Sequence, residues 1–414
     1  MTSSLGKLAR VPADLPYLHD EEGCVQFEFE HDQSYVKPGS TVSLSVLLLN
    51  DGGNLHCLMS SSTLPDLEFT GSASEQFQKT AQHLSLTPIP LSAPLPLEPV
   101  SIPKPWGQEI WYSGIEERGV STTHGVPISW LLDVFGEHLG CVDSPLLLKI
   151  LDPLPQENLG DLYFELHEHK TEVYIVTHVN DSAWPDGAGK IRYGFNQTLL
   201  ADYPSHQDFL DAYLTTVKNY ETVRRTIDSN ESKVSDELTN QEAELRQAMY
   251  RFSSLRDVRR GDVITVTPNV PHSLQHGVRV VEFQTPHYER HILSFGQRVQ
   301  TQNHWDTEAA LKRAVVNIGE PDQPVVLGPG EDLIADFDEF RVRRLRLEPG
   351  DSFSLRSDRY QLAMGISGEA GLSSGDKTQL VQPETAWYLP PDESLTLENT
   401  VQEPAIVLIA ETLP

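Results

Sequence analysis

The sequence predicts a mainly β protein of several domains, interrupted by a helical insertion around residues 197–256. Short runs rich in β-branched and aromatic residues recur along the chain, and turns with glycine and proline separate them, which favours sandwich or small-barrel units. Between residues 197 and 256 the composition changes to Glu, Lys, Gln, Ala and Leu, residues typical of helices. With 414 residues, the chain is also too long for one ordinary hydrophobic core.

The composition limits the partners of the chain. It has 60 acidic and 31 basic residues, and the formal net charge of −29 argues against a nucleic acid as partner. Residues 1–20 contain no apolar core of signal-peptide length, and no run approaches a membrane span. We therefore expect a soluble, cytoplasmic protein without a membrane partner. The cysteines, Cys24, Cys57 and Cys141, are far apart and have no CxxC spacing, so we expect them to be packing residues.

The first part of the chain predicts a small antiparallel β domain over residues 1–85. Two apolar runs, Val25–Phe29 and Thr41–Leu49, alternate with turn-forming residues at 37–40 and 50–53. The next segment, residues 86–105, is rich in proline. Because neither a helix nor a central strand tolerates that spacing, we predict an extended linker there.

A central domain is predicted over residues 106–315 and a second β domain over residues 325–414. In the central domain, Pro127 precedes a run with helical apolar spacing, and residues 145–152 form a near-continuous apolar run that predicts a buried strand. A linker-like segment at 320–324 separates this domain from the last one, where short strands return.

Residues 160–176 concentrate carboxylates and imidazoles within a strand-like run. Side chains alternate along a strand, so Glu165, His167 and His169 share one face. The β-branched and aromatic residues that follow predict a second strand after a short turn, and that strand brings Glu172 back over the same face. A group of such donors on one face is what a metal ion requires.

A distant segment supplies a further candidate ligand. A strand that begins after Gly261 and Asp262 ends in Pro268-x3-His272. Together with the first segment, it offers imidazole nitrogen and carboxylate oxygen, a mixture that suits one divalent ion of Zn, Mn, Fe, Co or Ni.

These two segments resemble the double motif of the cupins, HxH(x)3–4E followed by a segment that ends in P-x-G-x2-H. The spacing Glu165-x-His167-x4-Glu172 fits if a glutamate replaces the first histidine. The reading that starts at His167 and uses His169 leaves too short a gap before the glutamate. The resemblance therefore implies a metal site on Glu165, His167, Glu172 and His272, with His169 as the alternative ligand.

Over residues 104 to about 300, the sequence is similar to type I mannose-6-phosphate isomerases, a metal-dependent subgroup of the cupins. The matching segments occur in the order of that family: 104–107, the helix ending at 135–136, 145–152, 165–172, 193–196, and 261–262 with 270–274. Four features differ from the family. Glu165 replaces a glutamine, the loop between His167 and Lys170 is almost absent, the stretch from Glu282 to Arg290 is shorter, and an N-terminal β domain is added.

The resemblance implies a double-stranded β-helix (jelly-roll) fold with a degenerate C-terminal cupin domain. It implies an isomerase of carbohydrate metabolism that interconverts mannose 6-phosphate and fructose 6-phosphate with one divalent metal ion, zinc first. In this hypothesis Lys170 or Glu282 serves the proton transfer, and Arg290 faces negative charge. We expect the neighbouring metal cation to lower the pKa of Lys170.

Three alternatives stay open. The second carboxylate, Glu165, favours a different or non-phosphorylated sugar as substrate. A cupin that binds a sugar or sugar phosphate without converting it is the competing class. A cupin dioxygenase with Fe²⁺ requires an open coordination face, and no residue pattern specifically favours it.

Overall fold

The computed structural model divides the chain into two compact units. The first comprises Met1–Ile102, Trp111–Lys149 and Pro324–Pro414, and the second Pro103–Ile110 and Ile150–Gln323. The described residues are 5–8 (backbone only), 23–33, 37, 39–64, 71–115, 119–141, 145–229, 234–297, 305–319, 323–391 and 393–413. Most of residues 1–20 and of the predicted linker at 320–324 lies outside the described residues. The division into domains that follow one another along the chain, which the sequence predicts, stays a prediction.

A five-stranded sheet with one helix forms the N-terminal part of the first unit. Its strands pair in chain order, β1 and β2 in parallel and the others antiparallel. The strands are β1 (Leu5–Leu8), β2 (Gly23–Asp32), β3 (Thr41–Asp51), β4 (Asn54–Ser60) and β5 (Ile89–Pro90). Helix α1 (Ala73–Leu84) follows the N-cap residue Ser72, whose side chain accepts a hydrogen bond from the backbone N–H of Glu75 (3.3 Å).

The proline-rich segment contributes short strands at sheet edges. Besides β5, it forms β6 (Leu95–Leu97) and β7 (Val100–Lys104), and each of the three is the last strand of its sheet. Proline has no N–H to donate, so it is tolerated in strands chiefly at edges. The segment is therefore extended, and its backbone takes part in sheets.

A β-sandwich forms the C-terminal part of the first unit. One sheet has the order β20-β21-β22-β29-β24-β27-β6, and the other the order β23-β28-β25-β26. Side chains from both sheets share one hydrophobic core. The strands are β20 (Val325–Gly328), β21 (Glu331–Asp336), β22 (Phe340–Leu347), β23 (Ser352–Leu355), β24 (Gln361–Ser367), β25 (Ala370–Ser374), β26 (Lys377–Val381), β27 (Ala386–Leu389), β28 (Leu395–Glu398) and β29 (Ala405–Thr412).

Between these parts in sequence, the first unit contains a two-stranded hairpin and a helix. The hairpin consists of β9 (Thr122–Thr123) and β10 (Val126–Pro127), and helix α2 (Ile128–Phe135) follows directly. Ile128, Leu131 and Val134 are buried along one side of this helix, which agrees with the helical spacing in the sequence.

Two facing sheets form the second unit. One has the order β16-β13-β18-β11-β8-β7 and the other the order β15-β14-β17-β12-β19. Side chains from both contribute to one core. The strands are β8 (Gly107–Trp111), β11 (Leu147–Pro153), β12 (Phe164–Leu166), β13 (Glu172–Val179), β14 (Gly189–Phe195), β15 (Ser253–Val258), β16 (Val263–Val266), β17 (His272–Leu274), β18 (Val278–Gln284) and β19 (His291–Ser294).

The helical insertion lies between β14 and β15. It consists of α3 (Gln197–Leu200), α4 (His206–Ser229) and α5 (Asp236–Tyr250), and a short helix, α6 (Thr307–Ala310), follows β19. Helix α4 buries Phe209, Tyr213, Val217 and Tyr220, which recur every three or four residues and so lie on one face. The predicted mainly β fold with jelly-roll sheets and a helical insertion is confirmed.

Two predictions from composition concern the whole described chain. Cys24, Cys57 and Cys141 are all buried and none forms a disulfide. Within the described ranges, every helix is too short or too polar to cross a membrane.

Candidate metal centre

Four of the predicted metal ligands meet between the two sheets of the second unit. Glu165 on β12 and His272 on β17 are directly opposite each other in an antiparallel pair, so their side chains share one face. Glu172 is the first residue of β13, in the other sheet. His167 follows β12, and its ring lies 5.2 Å from that of His272.

The distances are those of a compact cluster. Ligand atoms of Glu165, His167 and His272 all lie within 4.8 Å of one another. Glu172 adjoins the two imidazoles, because its Oε1 lies 2.8 Å from Nε2 of His272 and 3.5 Å from Nε2 of His167. His167 is 3% exposed, His272 2% and Glu172 0%, so three of the four side chains are removed from water.

Hydrogen bonds fix which nitrogen of each histidine faces the cluster. Nδ1 of His167 lies 2.7 Å from the carbonyl oxygen of Glu289, and Nδ1 of His272 lies 3.0 Å from that of Val270. A carbonyl oxygen only accepts, so each Nδ1 carries the hydrogen and each Nε2 has a free lone pair. This is how proteins orient histidine ligands of metals.

The residues fit a divalent metal ion. Nε2 of His167, Nε2 of His272 and Oε2 of Glu165 are buried, and none has a hydrogen-bond partner among the described residues. Buried polar atoms are normally paired, so three such atoms in one cluster require a further partner. Two imidazoles and two carboxylates are the ligand types of Zn²⁺ and of neighbouring transition metals.

The electrostatics of the cluster keep its ligands in their binding forms. Burial and the ammonium of Lys170 hold the pKa of His167 well below its usual value, so the ring is neutral near pH 7. Burial acts to raise the pKa of Glu172, but the ammonium of Lys170 outweighs it and holds that pKa well below its usual value. The hydroxyl of Tyr174 donates a hydrogen bond to Oε1 of Glu172 (3.1 Å).

Two predicted catalytic residues lie beside the ligands. The Lys170 ammonium lies 2.7 Å from Oε2 of Glu172 and 3.9 Å from Oε1 of Glu282. Glu282 on β18 is paired with Tyr174 on β13, so it shares the face that carries Glu172. Both Lys170 and Glu282 are buried.

The lowered pKa expected for Lys170 depends on a bound metal cation, and the protein groups around the amine act in the opposite direction. Burial acts to lower the pKa, but the carboxylates of Glu172, Glu282 and Glu165 outweigh it and raise the pKa above its usual value. Lys170 therefore carries a full positive charge at neutral pH. The sequence predicts a metal cation beside the Lys170 amine, and the fold surrounds that amine with three carboxylates.

Solved structures with the same fold include several sugar-phosphate isomerases. The mannose 6-phosphate isomerase from Bacillus subtilis is 16% identical, with a TM-score of 0.58 over 77% of this chain and 99% of that chain. A lysine-to-alanine variant of the phosphomannose isomerase from Salmonella typhimurium is 11% identical, with a TM-score of 0.58 over 77% and 100%. A zinc-bound mannose 6-phosphate isomerase is 11% identical, with a TM-score of 0.58 over 78% and 100%.

The chain has the fold of the mannose 6-phosphate isomerases. No protein-family model and no curated protein matches the sequence. At these identities the likeness concerns the fold alone.

Two predicted site residues lie away from the centre of the cluster. His169, the alternative ligand, has a side chain that is 67% exposed, with Nε2 3.8 Å from Glu168. The structure does not bring it to the metal centre, because it occupies the short turn between β12 and β13 and points outward. Arg290 lies just before β19, and its guanidinium carbon is 4.6 Å from the centre of the Tyr163 ring.

Glu289 is a residue of the site that the sequence did not reveal. Its Oε1 accepts hydrogen bonds from the backbone N–H groups of His169 (2.7 Å) and Lys170 (3.1 Å), while its carbonyl oxygen holds His167. The Thr285 hydroxyl accepts a further bond from the Thr171 N–H (3.1 Å). These bonds fasten the turn that carries the ligands to the segment after β18. Only the folded chain brings these segments together, more than a hundred residues apart in sequence.

Proposed function

We propose that the second unit is a metal-dependent aldose–ketose isomerase that interconverts mannose 6-phosphate and fructose 6-phosphate. The observation that carries the proposal is the position of Lys170, whose ammonium lies 2.7 Å from the metal-ligand candidate Glu172 and 3.9 Å from Glu282. An ammonium and a carboxylate beside a metal centre are the groups that this reaction requires. The fold likeness to sugar-phosphate isomerases supports the proposal.

The reaction moves a proton between C1 and C2 of the sugar. A divalent metal ion held by Glu165, His167, Glu172 and His272 would supply positive charge for the sugar oxygens that gain negative charge. Glu282 removes the proton and returns it to the neighbouring carbon, while the protonated Lys170 beside it supplies positive charge. Glu282 is 1% exposed, so its carboxylate is shielded from bulk water during the transfer.

Arg290 supplies positive charge for the phosphate group in this proposal. Its guanidinium is partly buried over Tyr163, two residues before the ligand Glu165 in the chain. A chain with a net charge of −29 attracts no phosphate by its overall field, so a local cation is necessary.

The test is an isomerase assay that measures fructose 6-phosphate formed from mannose 6-phosphate, with chelator-treated protein as a control. Replacing the proton-transferring residue is expected to reduce kcat by about 10²–10⁴-fold, and Glu282→Gln and Lys170→Met identify which residue it is. His178→Gln is the matched control, because His178 lies on the same strand as Glu172 but is exposed. No turnover of any sugar by metal-loaded protein contradicts the proposal.

One observation favours a second candidate, the isomerisation of a non-phosphorylated aldose. Glu165 adds a second carboxylate to the cluster, which opposes the approach of a phosphate dianion. The two candidates are distinguished by comparing kcat/KM for mannose and for mannose 6-phosphate in the wild type and in Arg290→Gln. If Arg290→Gln raises the KM for mannose 6-phosphate but not the KM for mannose, the result supports the first candidate. Binding of sugars without turnover supports a non-catalytic sugar-binding cupin.

A further inference from the structure

The first unit contains a cavity of about 620 Å³ that belongs to no part of the metal centre. This volume lies in the range of pockets that hold small molecules. Every residue that lines it belongs to the first unit. The walls come from the turn between β3 and β4, the proline-rich segment, the β9–β10 hairpin and the C-terminal sandwich.

Trp387 on β27 lines the cavity with a buried donor. The residue is 8% exposed, and no group in the described part of the chain accepts a hydrogen bond from its Nε1. An indole N–H only donates, and it usually has a partner when buried. Pro96 is the cross-strand neighbour of Trp387, so the two rings lie side by side on one face and give the cavity a flat apolar wall.

His124 provides a second buried polar atom. It occupies the two-residue turn between β9 and β10 with a φ of 50°, and Gly125 follows with a φ of 76°. Hairpin turns of this kind usually contain Asn-Gly, and histidine is one of the other residues enriched in the left-handed region. Its Nε2 is buried and has no hydrogen-bond partner among the described residues. Burial also lowers the pKa of His124, although Glu98 opposes this, so the ring is neutral near pH 7.

The rim of the cavity carries both signs of charge. The β25–β26 hairpin pairs Ser374 with Lys377 and Leu372 with Gln379, so these four side chains share the face that lines the cavity. Asp376 and Glu393 also contribute to the lining. One lysine against two carboxylates gives no positive excess, which disfavours a phosphate or another anion as ligand.

We propose that this cavity binds a neutral saccharide or polyol, with Trp387 Nε1 and His124 Nε2 hydrogen-bonding to its hydroxyl groups. Hydroxyl groups both donate and accept, so they satisfy an indole N–H and an imidazole nitrogen together. The apolar face of a sugar ring covers the wall formed by Trp387 and Pro96. This site is independent of the isomerase proposal, because no metal ligand takes part in it.

The test is a saturation-transfer NMR titration of the full-length protein with D-glucose, D-mannose and maltose, and with inorganic phosphate as the anionic probe. Trp387→Phe removes the N–H and keeps an aromatic ring, and His124→Asn suits the left-handed turn. At least one neutral probe is expected to bind, and each variant is expected to raise its Kd about tenfold. Leu380→Thr is the matched control, because Leu380 lies on the opposite face of β26 and is 50% exposed.

The same titration in His272→Gln separates this cavity from the metal centre. The proposal predicts an unchanged Kd for the neutral probe in that variant. It is overturned if no neutral probe binds, if phosphate alone binds, or if His272→Gln weakens binding while Trp387→Phe does not. A thermal melt of each variant verifies folding, and if Trp387→Phe does not fold, His124→Asn decides by the same criterion.

Discussion

Replacing Lys170 by methionine is expected to destabilise the second unit, because it leaves the buried carboxylate of Glu172 without its ammonium partner. Glu172 is 0% exposed and lies 2.7 Å from the Lys170 nitrogen. The pKa of the lysine is raised and that of the glutamate is lowered, as both residues gain from the pairing. Methionine preserves most of the volume, so the effect reports on charge.

The structure sets the size of the effect. Removing one partner of a fully buried ion pair costs about 3–5 kcal/mol, because the remaining charge is uncompensated. For a unit of this size, about 1 kcal/mol shifts Tm by about 2–4 °C, so the expected decrease is about 6–20 °C. Calorimetry in the presence of EDTA measures this decrease for the metal-free protein. Added metal is expected to reduce the difference, because it supplies positive charge to Glu172 and binds only the folded state.

A double variant provides the control. Lys170→Met combined with Glu172→Gln removes both charges, so it is expected to be more stable than Lys170→Met alone. A decrease in Tm below about 3 °C for Lys170→Met, which corresponds to about 1 kcal/mol, refutes the reasoning. A double variant no more stable than the single variant refutes it as well.

Three other predictions test the site and the packing. His272→Gln is expected to abolish binding of one equivalent of metal, as measured by atomic absorption, while His178→Gln at an exposed position near the end of β13 retains it. Equal metal content in both variants contradicts the ligand assignment. Glu289→Ala removes the acceptor for the backbone N–H groups of His169 and Lys170, so a titration is expected to show about 10–100-fold weaker metal binding, and an unchanged affinity is the contrary result. Burial raises the pKa of Cys24 to about 12, and all three cysteines are buried, so a thiol reagent at pH 8 is expected to label none of them before unfolding; rapid labelling of the native protein contradicts this packing.

Local patterns in the sequence were sufficient to predict the fold class and to nominate the cluster. The alternation of side chains along a strand predicted that Glu165 and His167 share one face. The short turn after them predicted that Glu172 lies over that face. The change in composition between residues 197 and 256 predicted the helical insertion. Each of these inferences depends on residues that are close in sequence.

The remaining features depend on contacts between distant segments. The acceptor that orients His167 comes from Glu289, and no pattern near either residue indicates it. The raised pKa of Lys170 results from three carboxylates, one of them, Glu282, more than a hundred residues away. The cavity around Trp387 combines a strand of the proline-rich segment with the C-terminal sandwich. Composition predicted that segment only as an extended linker.

The most direct test of the central claim is a crystal structure of the metal-loaded protein, with an anomalous difference map at the absorption edge of the bound metal. We expect one peak between the two sheets of the second unit, about 2.0–2.2 Å from Nε2 of His167 and of His272 and from carboxylate oxygens of Glu165 and Glu172. A map without a peak among these four side chains, or with the peak at His169, contradicts it.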